Sequence, residues 1–490
     1  MAENPTVSGE TRDYDYDLIA IGSGPGGQRA AIQAAKLGKR VAVVERTSGV
    51  GGVCVRTGTI PSKTLREAAM ALSGYRDRGF YGASYTAKQH VGMEDLHFRA
   101  DQVVRNETDV VRHQLLRNDV DLHSGHGSFL DPHTIVVEGE GGHGRRTLTA
   151  RNVVIATGTT ATRGGGIAFD GRRILTSDDA VTLDRLPRTL AVIGAGVIGL
   201  EYAGMFAALG VRVTIIDRRP RLLPDIDAEI MDALAFHMRR SRVTLWLGEE
   251  VRDLAVDEGD DGKVRIELAS GKHIVAEKAL YSIGRTGATA RLGLAAAGLT
   301  ADARGRLAVD GHYRTAVPHI YAVGDVIGHP SLASTSMEQG RLAACHAFGI
   351  AARSVPALVP CAIYTIPEIS TVGRTEEDLT RDGVPYEVGK AQYNEIARGQ
   401  IIGDRTGLLK LIFHWETREL LGVHIIGEGA SELIHIGQAV MTYRGGVDHF
   451  VDAVFNYPTL AECYKTAALD GLNRLESWQT PAVAPPAMTA

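Results

Sequence analysis

Asp17-Leu18-Ile19-Ala20-Ile21-Gly22-Ser23-Gly24-Pro25-Gly26-Gly27 is the stretch that decides the fold. Its apolar run reads as a short strand buried in a parallel sheet. The glycines after it have G-x-G-x-x-G spacing, at Gly22, Gly24 and Gly27. The first permits a tight turn, the second lets a pyrophosphate approach the backbone, and the third lets the next helix pack close to the strand. An alanine-rich helical stretch runs to Leu37-Gly38, and Arg40-Val41-Ala42-Val43-Val44-Glu45 is a second strand ending in an acid. The helix N-terminus offers amide donors and positive dipole to phosphates. Glu45 is placed to bind a ribose hydroxyl. The hexapeptide alone is weak evidence, because glycine clusters also make ordinary turns. The flanking strand, helix and acid make it a dinucleotide-binding βαβ unit.

The same pattern returns downstream. Ala191-Val192-Ile193 is a strand, Gly194-Ala195-Gly196-Val197-Ile198-Gly199 is a second fingerprint, and Arg212-Val213-Thr214-Ile215-Ile216-Asp217 ends in an acid. Glu45 and Asp217 each stand 23 positions after the first glycine of their motif. Two unrelated turn clusters would not share that offset, so the chain carries two dinucleotide sites. Arg218, Arg219 and Arg221 follow Asp217 directly. A carboxylate there suits the 2′-hydroxyl of NAD, and arginines suit the 2′-phosphate of NADP. The arginines are also readable as a solvated surface run.

Between the two fingerprints lies Gly51-Gly52-Val53-Cys54-Val55-Arg56-Thr57-Gly58-Thr59-Ile60-Pro61-Ser62-Lys63. A paired redox motif would carry a second cysteine five residues after Cys54; Thr59 stands there. The stretch therefore looks like a disulfide site lacking half its disulfide.

The 490 residues suffice for roughly three domains of about 150 residues. The charged fraction is 23% and the net charge −5, which gives no broad attraction to nucleic acid or an anionic membrane. Four cysteines (Cys54, Cys345, Cys361, Cys463) form neither a disulfide framework nor a metal motif, so a reducing compartment and no metal are expected. No secretory signal or apolar run of about 18 residues is evident, so the expectation is a cytoplasmic protein with no membrane span.

Further along, helices are expected near Ser62–Tyr75 and Glu94–Asn118, then short strands to Arg146 with a hairpin tip at Gly139–Gly144. The strand Asn152–Ile155 ends in Ala156-Thr157-Gly158, and Thr315–Asp325 contains a strand that runs into Gly324-Asp325. Residues from about 355 to 475 alternate strands and helices without a phosphate loop. The expected architecture is α/β. Residues 15–158 and 283–353 form one Rossmann-like domain and 159–282 a second; 354–475 form an α+β C-terminal domain, and 1–14 and 476–490 are disordered tails. His424 and His435 are expected as buried, hydrogen-bonded histidines, and Cys463 as a core residue.

Taken together, these motifs resemble the pyridine nucleotide-disulfide oxidoreductase family over about residues 15–475. The resemblance implies that FAD is held by Gly22, Gly24, Gly27, Glu45, Gly52, Cys54, Lys63, Thr157, Gly158, Gly324 and Asp325. It assigns NAD or NADP to Gly194, Gly196, Gly199, Glu201, Asp217, Arg218, Arg219 and Gly284. The C-terminal part is similar to that family's dimerisation domain, which implies a homodimer or a higher assembly. Disulfide-reducing members carry a second cysteine and a C-terminal His-Pro…Glu pair. Here these are Thr59 and Tyr457, the latter in Asn456-Tyr457-Pro458-Thr459-Leu460-Ala461-Glu462. A tyrosine phenol, with an ordinary pKa near about 10, is a poor proton shuttle for a thiol at neutral pH.

The double loss is similar to the soluble, Si-specific transhydrogenase branch of the family. That likeness implies hydride transfer from NADPH to NAD⁺ by a ping-pong route through the flavin N5. Lys63, paired with Glu201, would stabilise charge on the reduced ring. Cys54 is either a packing residue or a thiol that tunes the flavin. A flavin reductase acting on quinone and a flavin-loaded redox sensor are the alternatives.

Overall fold

The computed structural model describes residues 14–479 apart from Ala83, 140–143, 258–261 and 355–357. Residues 1–13 and 480–490 of the expected tails, most of the Gly139–Gly144 tip and residues 355–357 lie outside the described residues, while the helix Glu462–Gln479 continues through 476–479, the start of the expected C-terminal tail. The chain divides into two compact units. The first comprises residues 1–60, 102–160 and 285–354; the second comprises 61–101, 161–284 and 355–490.

The first unit begins with β1 (Tyr16–Ile21), α1 (Pro25–Lys36), β2 (Val41–Glu45) and α2 (Gly52–Arg56), and α3 (Thr59–Ser73) follows. Its sheet has seven strands. β1 is central, with β2 on one side and Arg145–Ile155 on the other, both parallel to it. Val120–Ser124 extends the parallel pairing beyond β2. Ile320–Ala322 pairs parallel with the end of Arg145–Ile155, which brings Gly324-Asp325 to the same sheet edge as Ala156-Thr157-Gly158. β1 reads as a continuous apolar run because both faces are covered: Leu18 and Ala20 enter one core and Ile19 and Ile21 the other. α1 packs against the helix Ala333–Ala347 with small residues at the crossing. A Cβ on Gly340 would overlap the Gly26 carbonyl oxygen.

The second unit contains a five-stranded parallel sheet in the order Thr244–Leu247, Arg212–Asp217, Thr189–Ile193, Lys278–Tyr281, Ile174–Leu175. Its βαβ core, Thr189–Ile193, helix Val197–Ala208 and Arg212–Asp217, repeats that of β1, α1 and β2. This unit also holds a three-stranded antiparallel sheet and a five-stranded antiparallel sheet built from residues 361–426. Helices Ala430–Thr442 and Glu462–Gln479 accompany the larger of these, giving the expected α+β C-terminal part. Cys463 is fully buried in its core. His424 is also buried, but His435 is exposed and bonds to Gln438 of its own helix, which corrects the expectation of two buried histidines. His435 belongs to the outer face of an amphipathic helix whose inner face carries Ile434 and Gly437. Among the described residues no helix is long and apolar enough to cross a membrane.

Candidate functional site

The turn after β1 opens onto a cleft of about 1080 Å³, its solvent-open mouth included, whose lining belongs to the first unit. Gly22 has φ +106°, and a Cβ there would strike the Ala156 carbonyl. A Cβ on Gly27 would overlap the Gly22 carbonyl oxygen, so helix and turn touch backbone to backbone. Gly24 differs: nothing lies within 4 Å of a Cβ built on it, and it lines the cleft at the N-terminus of α1. This is the surface a phosphate group needs.

Glu45, 8% exposed at the end of β2, accepts from the Ser23 amide at 2.9 Å and the Ser23 hydroxyl at 2.6 Å. The Gly51 amide donates to the Ser23 hydroxyl oxygen at 2.9 Å, tying the phosphate turn to the glycine-rich stretch before Cys54. Cys54 sits on α2, a five-residue helix not expected from so glycine-rich a sequence, and lines the cleft with Gly52 and Thr59. None of the four cysteines forms a disulfide.

Across the cleft, Arg285 donates from Nε to the Thr159 hydroxyl at 2.7 Å and from a terminal nitrogen to the Thr159 carbonyl at 2.9 Å. The Thr159 hydroxyl donates in turn to Asp325 at 3.2 Å, which orients that carboxylate. The Gly324 amide is satisfied by Gln339 Oε1 at 2.7 Å. Thr157 Oγ1, buried beside these groups, has no hydrogen-bond partner among the described residues. An orphaned hydroxyl, a bare glycine backbone and two oriented carboxylates together fit a dinucleotide. Ser23, Thr159 and Gln339 were not singled out from the sequence. Serine and threonine after glycines are too common to signal, and Gln339 acts from a distant helix.

The second fingerprint repeats this geometry inside the second unit. Gly194 has φ +99°, and its Cβ would lie 2.7 Å from the Ser282 carbonyl oxygen. Gly199 packs on the Gly194 carbonyl as Gly27 does on Gly22, and Gly196 is open, its nearest neighbour 3.9 Å away. Asp217 accepts the Ala195 amide at 2.6 Å, as Glu45 accepts Ser23. Unlike Glu45, it is also forked by Arg219, with Nε at 3.0 Å and a terminal nitrogen at 2.8 Å. Burial opposes the Asp217 charge, but the Arg219 fork and two backbone amides outweigh it and hold the carboxyl below its ordinary range. Arg218 is exposed, and Gly284, at φ +143°, lies three residues beyond the strand Lys278–Tyr281.

Also within the second unit, Lys63 Nζ lies 2.6 Å from Glu201 Oε2. Glu201 Oε1 accepts the Tyr364 amide at 2.9 Å, and the ammonium stands 5.1 Å from the Tyr364 ring centroid. Glu201, on the helix that starts at the second fingerprint, thus fixes a partly exposed cation from a buried position. Tyr457 is 74% exposed.

Two family models match. Residues 16–340 match pyridine nucleotide-disulphide oxidoreductase, and residues 359–468 match the dimerisation domain of pyridine nucleotide-disulphide oxidoreductases. A soluble pyridine nucleotide transhydrogenase of Mycobacterium tuberculosis is 55% identical over 463 residues, covering 94% of this chain and 98% of that protein. Another, from Hahella chejuensis, is 46% identical, covering 94% and 99%. Among solved structures, the HOCl-induced flavoprotein disulfide reductase RclA from Escherichia coli superposes with a TM-score of 0.83 at 28% identity, covering 93% of this chain and 99% of that one. LpdA from Mycobacterium tuberculosis gives 0.84 at 27%, covering 92% and 99%.

Proposed function

The chain belongs to the pyridine nucleotide-disulphide oxidoreductase family, and we propose that it catalyses NADPH + NAD⁺ = NADP⁺ + NADH as an FAD-dependent soluble transhydrogenase. One observation carries this reading. Both nucleotide folds keep their glycines and terminal acids, while the dithiol partner and its base are replaced by Thr59 and Tyr457. Bound FAD supplies the two-electron carrier between the two nicotinamides.

The chain's own residues bind, orient and balance charge. Gly22, Gly24 and Gly27 expose the N-terminus of α1 to the pyrophosphate, Glu45 takes an adenosine ribose hydroxyl, and Asp325, steered by Thr159 and Arg285, takes a hydroxyl on the flavin's side chain. Thr157 gains a partner for its orphaned hydroxyl. Gly194, Gly196, Gly199 and Asp217 do the same service for the nicotinamide nucleotide. Lys63, fixed by Glu201, supplies positive charge to offset the negative charge of a reduced flavin. No thiol is needed, so Cys54 serves as a small group against the cofactor.

Residues 15–158 and 283–353 are assigned to flavin, 159–282 to the nicotinamide nucleotide and 354–475 to a homodimer interface. Tyr443, Val454 and Tyr457, all largely exposed in the single chain, support that last assignment. Four cysteines with no disulfide among them support a cytoplasmic location.

The test is reduction of a thio-analogue of NAD⁺ by NADPH with the purified yellow protein. Reduction of the analogue is expected; failure, with brisk quinone reduction, would make it a quinone reductase instead. A Thr59→Cys variant is expected to reduce neither lipoamide nor oxidised glutathione, because Tyr457 supplies no base. Appreciable disulfide reduction by that single variant would refute the argument from the paired losses.

A further inference from the structure

Exchange between NADPH and NAD⁺ requires nucleotide binding with and without a 2′-phosphate. The inference below rests on that reading. The Asp217 carboxylate has about four lone-pair directions. All four are taken in the free chain: Oδ1 accepts the Arg219 amide and Nε, and Oδ2 accepts the Ala195 amide and the Arg219 terminal nitrogen. No acceptor position is left for a ribose hydroxyl while the fork is closed. The equivalent acid, Glu45, is held by hydroxyls and amides rather than by a cation. One of these hydroxyls, that of Thr47, has an alternative acceptor in the Gly49 carbonyl at 3.0 Å.

We propose that Arg219 is a two-position latch that lets one site read both nucleotides. With NAD(H), the ribose 2′-hydroxyl takes the place of the guanidinium on Asp217. With NADP(H), the guanidinium turns from Asp217 to the 2′-phosphate, which offers the same fork-shaped pair of oxygens. The exchange needs only side-chain rotation. The backbone under it is pinned, because the Gly248 amide donates to the Arg219 carbonyl at 3.0 Å and the Glu249 amide to the Asp217 carbonyl at 3.1 Å. The Arg219 side chain is 38% exposed, so its charge already faces solvent. The exposed Arg218 adds positive charge beside it. A 2′-phosphate facing Asp217 with no cation nearby would be repelled by the carboxylate, so the positive charge of Arg219 on the phosphate offsets that repulsion.

The latch makes a prediction of opposite sign for two probes, 5′-AMP and adenosine 2′,5′-bisphosphate. Binding of each to the flavin-loaded protein is measured by calorimetry in one buffer of fixed ionic strength. Arg219→Gln is expected to weaken the bisphosphate by roughly tenfold or more while leaving 5′-AMP equal or tighter. Asp217→Asn is expected to shift the ratio the other way, and Arg219→Lys to fall between, since an ammonium cannot fork. A change of at least about fivefold in the ratio of dissociation constants for Arg219→Gln supports the latch. A smaller change, with both probes weakened alike, overturns it and leaves the transhydrogenase reading standing. If neither probe binds the unaltered protein, the assignment of this fold to nicotinamide nucleotides falls as well.

Discussion

Lys410→Met is expected to destabilise the second unit by about 3–5 kcal/mol. The Lys410 side chain is 1% exposed in the strand Leu408–His414, and its ammonium meets Asp227 at 2.8 and 3.0 Å, Glu229 at 3.2 Å and Glu376. Asp227, itself fully buried, also caps the helix Ala228–Arg240 by accepting the Ile230 amide at 3.4 Å. That helix follows the second nucleotide βαβ core, and Lys410 belongs to the C-terminal sheet. The ion cluster therefore joins these two parts of one unit. Removing the cation leaves a buried carboxylate with no compensating charge, which costs far more than the intact pair contributes. Adding Asp227→Asn to Lys410→Met should recover most of the loss, since asparagine still caps. Urea denaturation measures both; a single-mutant loss under about 1 kcal/mol would mean the pair is dispensable.

The pH dependence follows from the same cluster. His424 is fully buried, donating from Nε2 to the Arg374 carbonyl at 3.0 Å and accepting from the Thr371 hydroxyl at Nδ1. Burial pushes its pKa down, so it is neutral in the fold. Below about pH 6.5 the unfolded chain gains a proton that the fold refuses, and stability falls. For Asp227 burial opposes ionisation, but the Lys410 ammonium and the Ile230 amide win and depress its pKa, while the neutral His424 adds no charge. Its contribution is present above about pH 4 and is lost as pH falls through the depressed value. Lys410, whose pKa is raised, keeps its contribution until pH climbs past its ordinary value of about 10.4. Stability should therefore plateau from roughly pH 6.5 to 10 and fall in two acid stages. In Lys410→Met the second stage should shrink, because Asp227 is then easier to protonate than to bury charged.

What the sequence revealed depended on whether the cause was local. The strands and fingerprints were legible because a continuous apolar run and a glycine at a positive-φ turn are local requirements. Glu45 and Asp217 were legible from their common offset, since a βαβ unit fixes the strand end relative to the turn. The five residues of α2 were hidden, because Gly51 at its N-cap and Gly52 as its first residue mask the helix. Lys410 in Leu-Leu-Lys-Leu-Ile-Phe-His reads as an outward residue of a strand, and its partner Asp227 lies 183 positions away. The arginines after Asp217 admitted two readings from sequence; only the fork seen for Arg219 separates its part from that of the exposed Arg218. Thr159 is oriented by Arg285, 126 positions on, and no local pattern announces such a pair.

Gly24→Ala should fold normally and yet lose flavin. Its backbone, at φ −65° and ψ 178°, is one that alanine adopts freely, and a methyl there meets no protein atom within 4 Å. The only thing in its way would be a pyrophosphate at the N-terminus of α1. Gly27→Ala should do worse for a different reason: its methyl would overlap the Gly22 carbonyl oxygen, so helix and turn must part whether or not flavin is present. The expected result for Gly24→Ala is a native circular dichroism spectrum with affinity for added FAD lowered about ten- to a hundredfold. Gly196→Ala is the matching experiment in the second fold. Gly196 has φ −76° and ψ 176°, and its nearest neighbour is 3.9 Å from the new methyl. That variant should stay yellow while its affinity for nicotinamide nucleotides falls by a similar factor. Crossed results, with flavin lost from Gly196→Ala or nucleotide binding lost from Gly24→Ala, would reverse the assignment of the two folds. A fully yellow Gly24→Ala protein of unaltered FAD affinity would remove the first fingerprint from the flavin site. If each variant loses only its own ligand, the two glycines divide the chain into two separately addressable nucleotide sites, which is what exchange of hydride between two nicotinamides through one resident flavin demands.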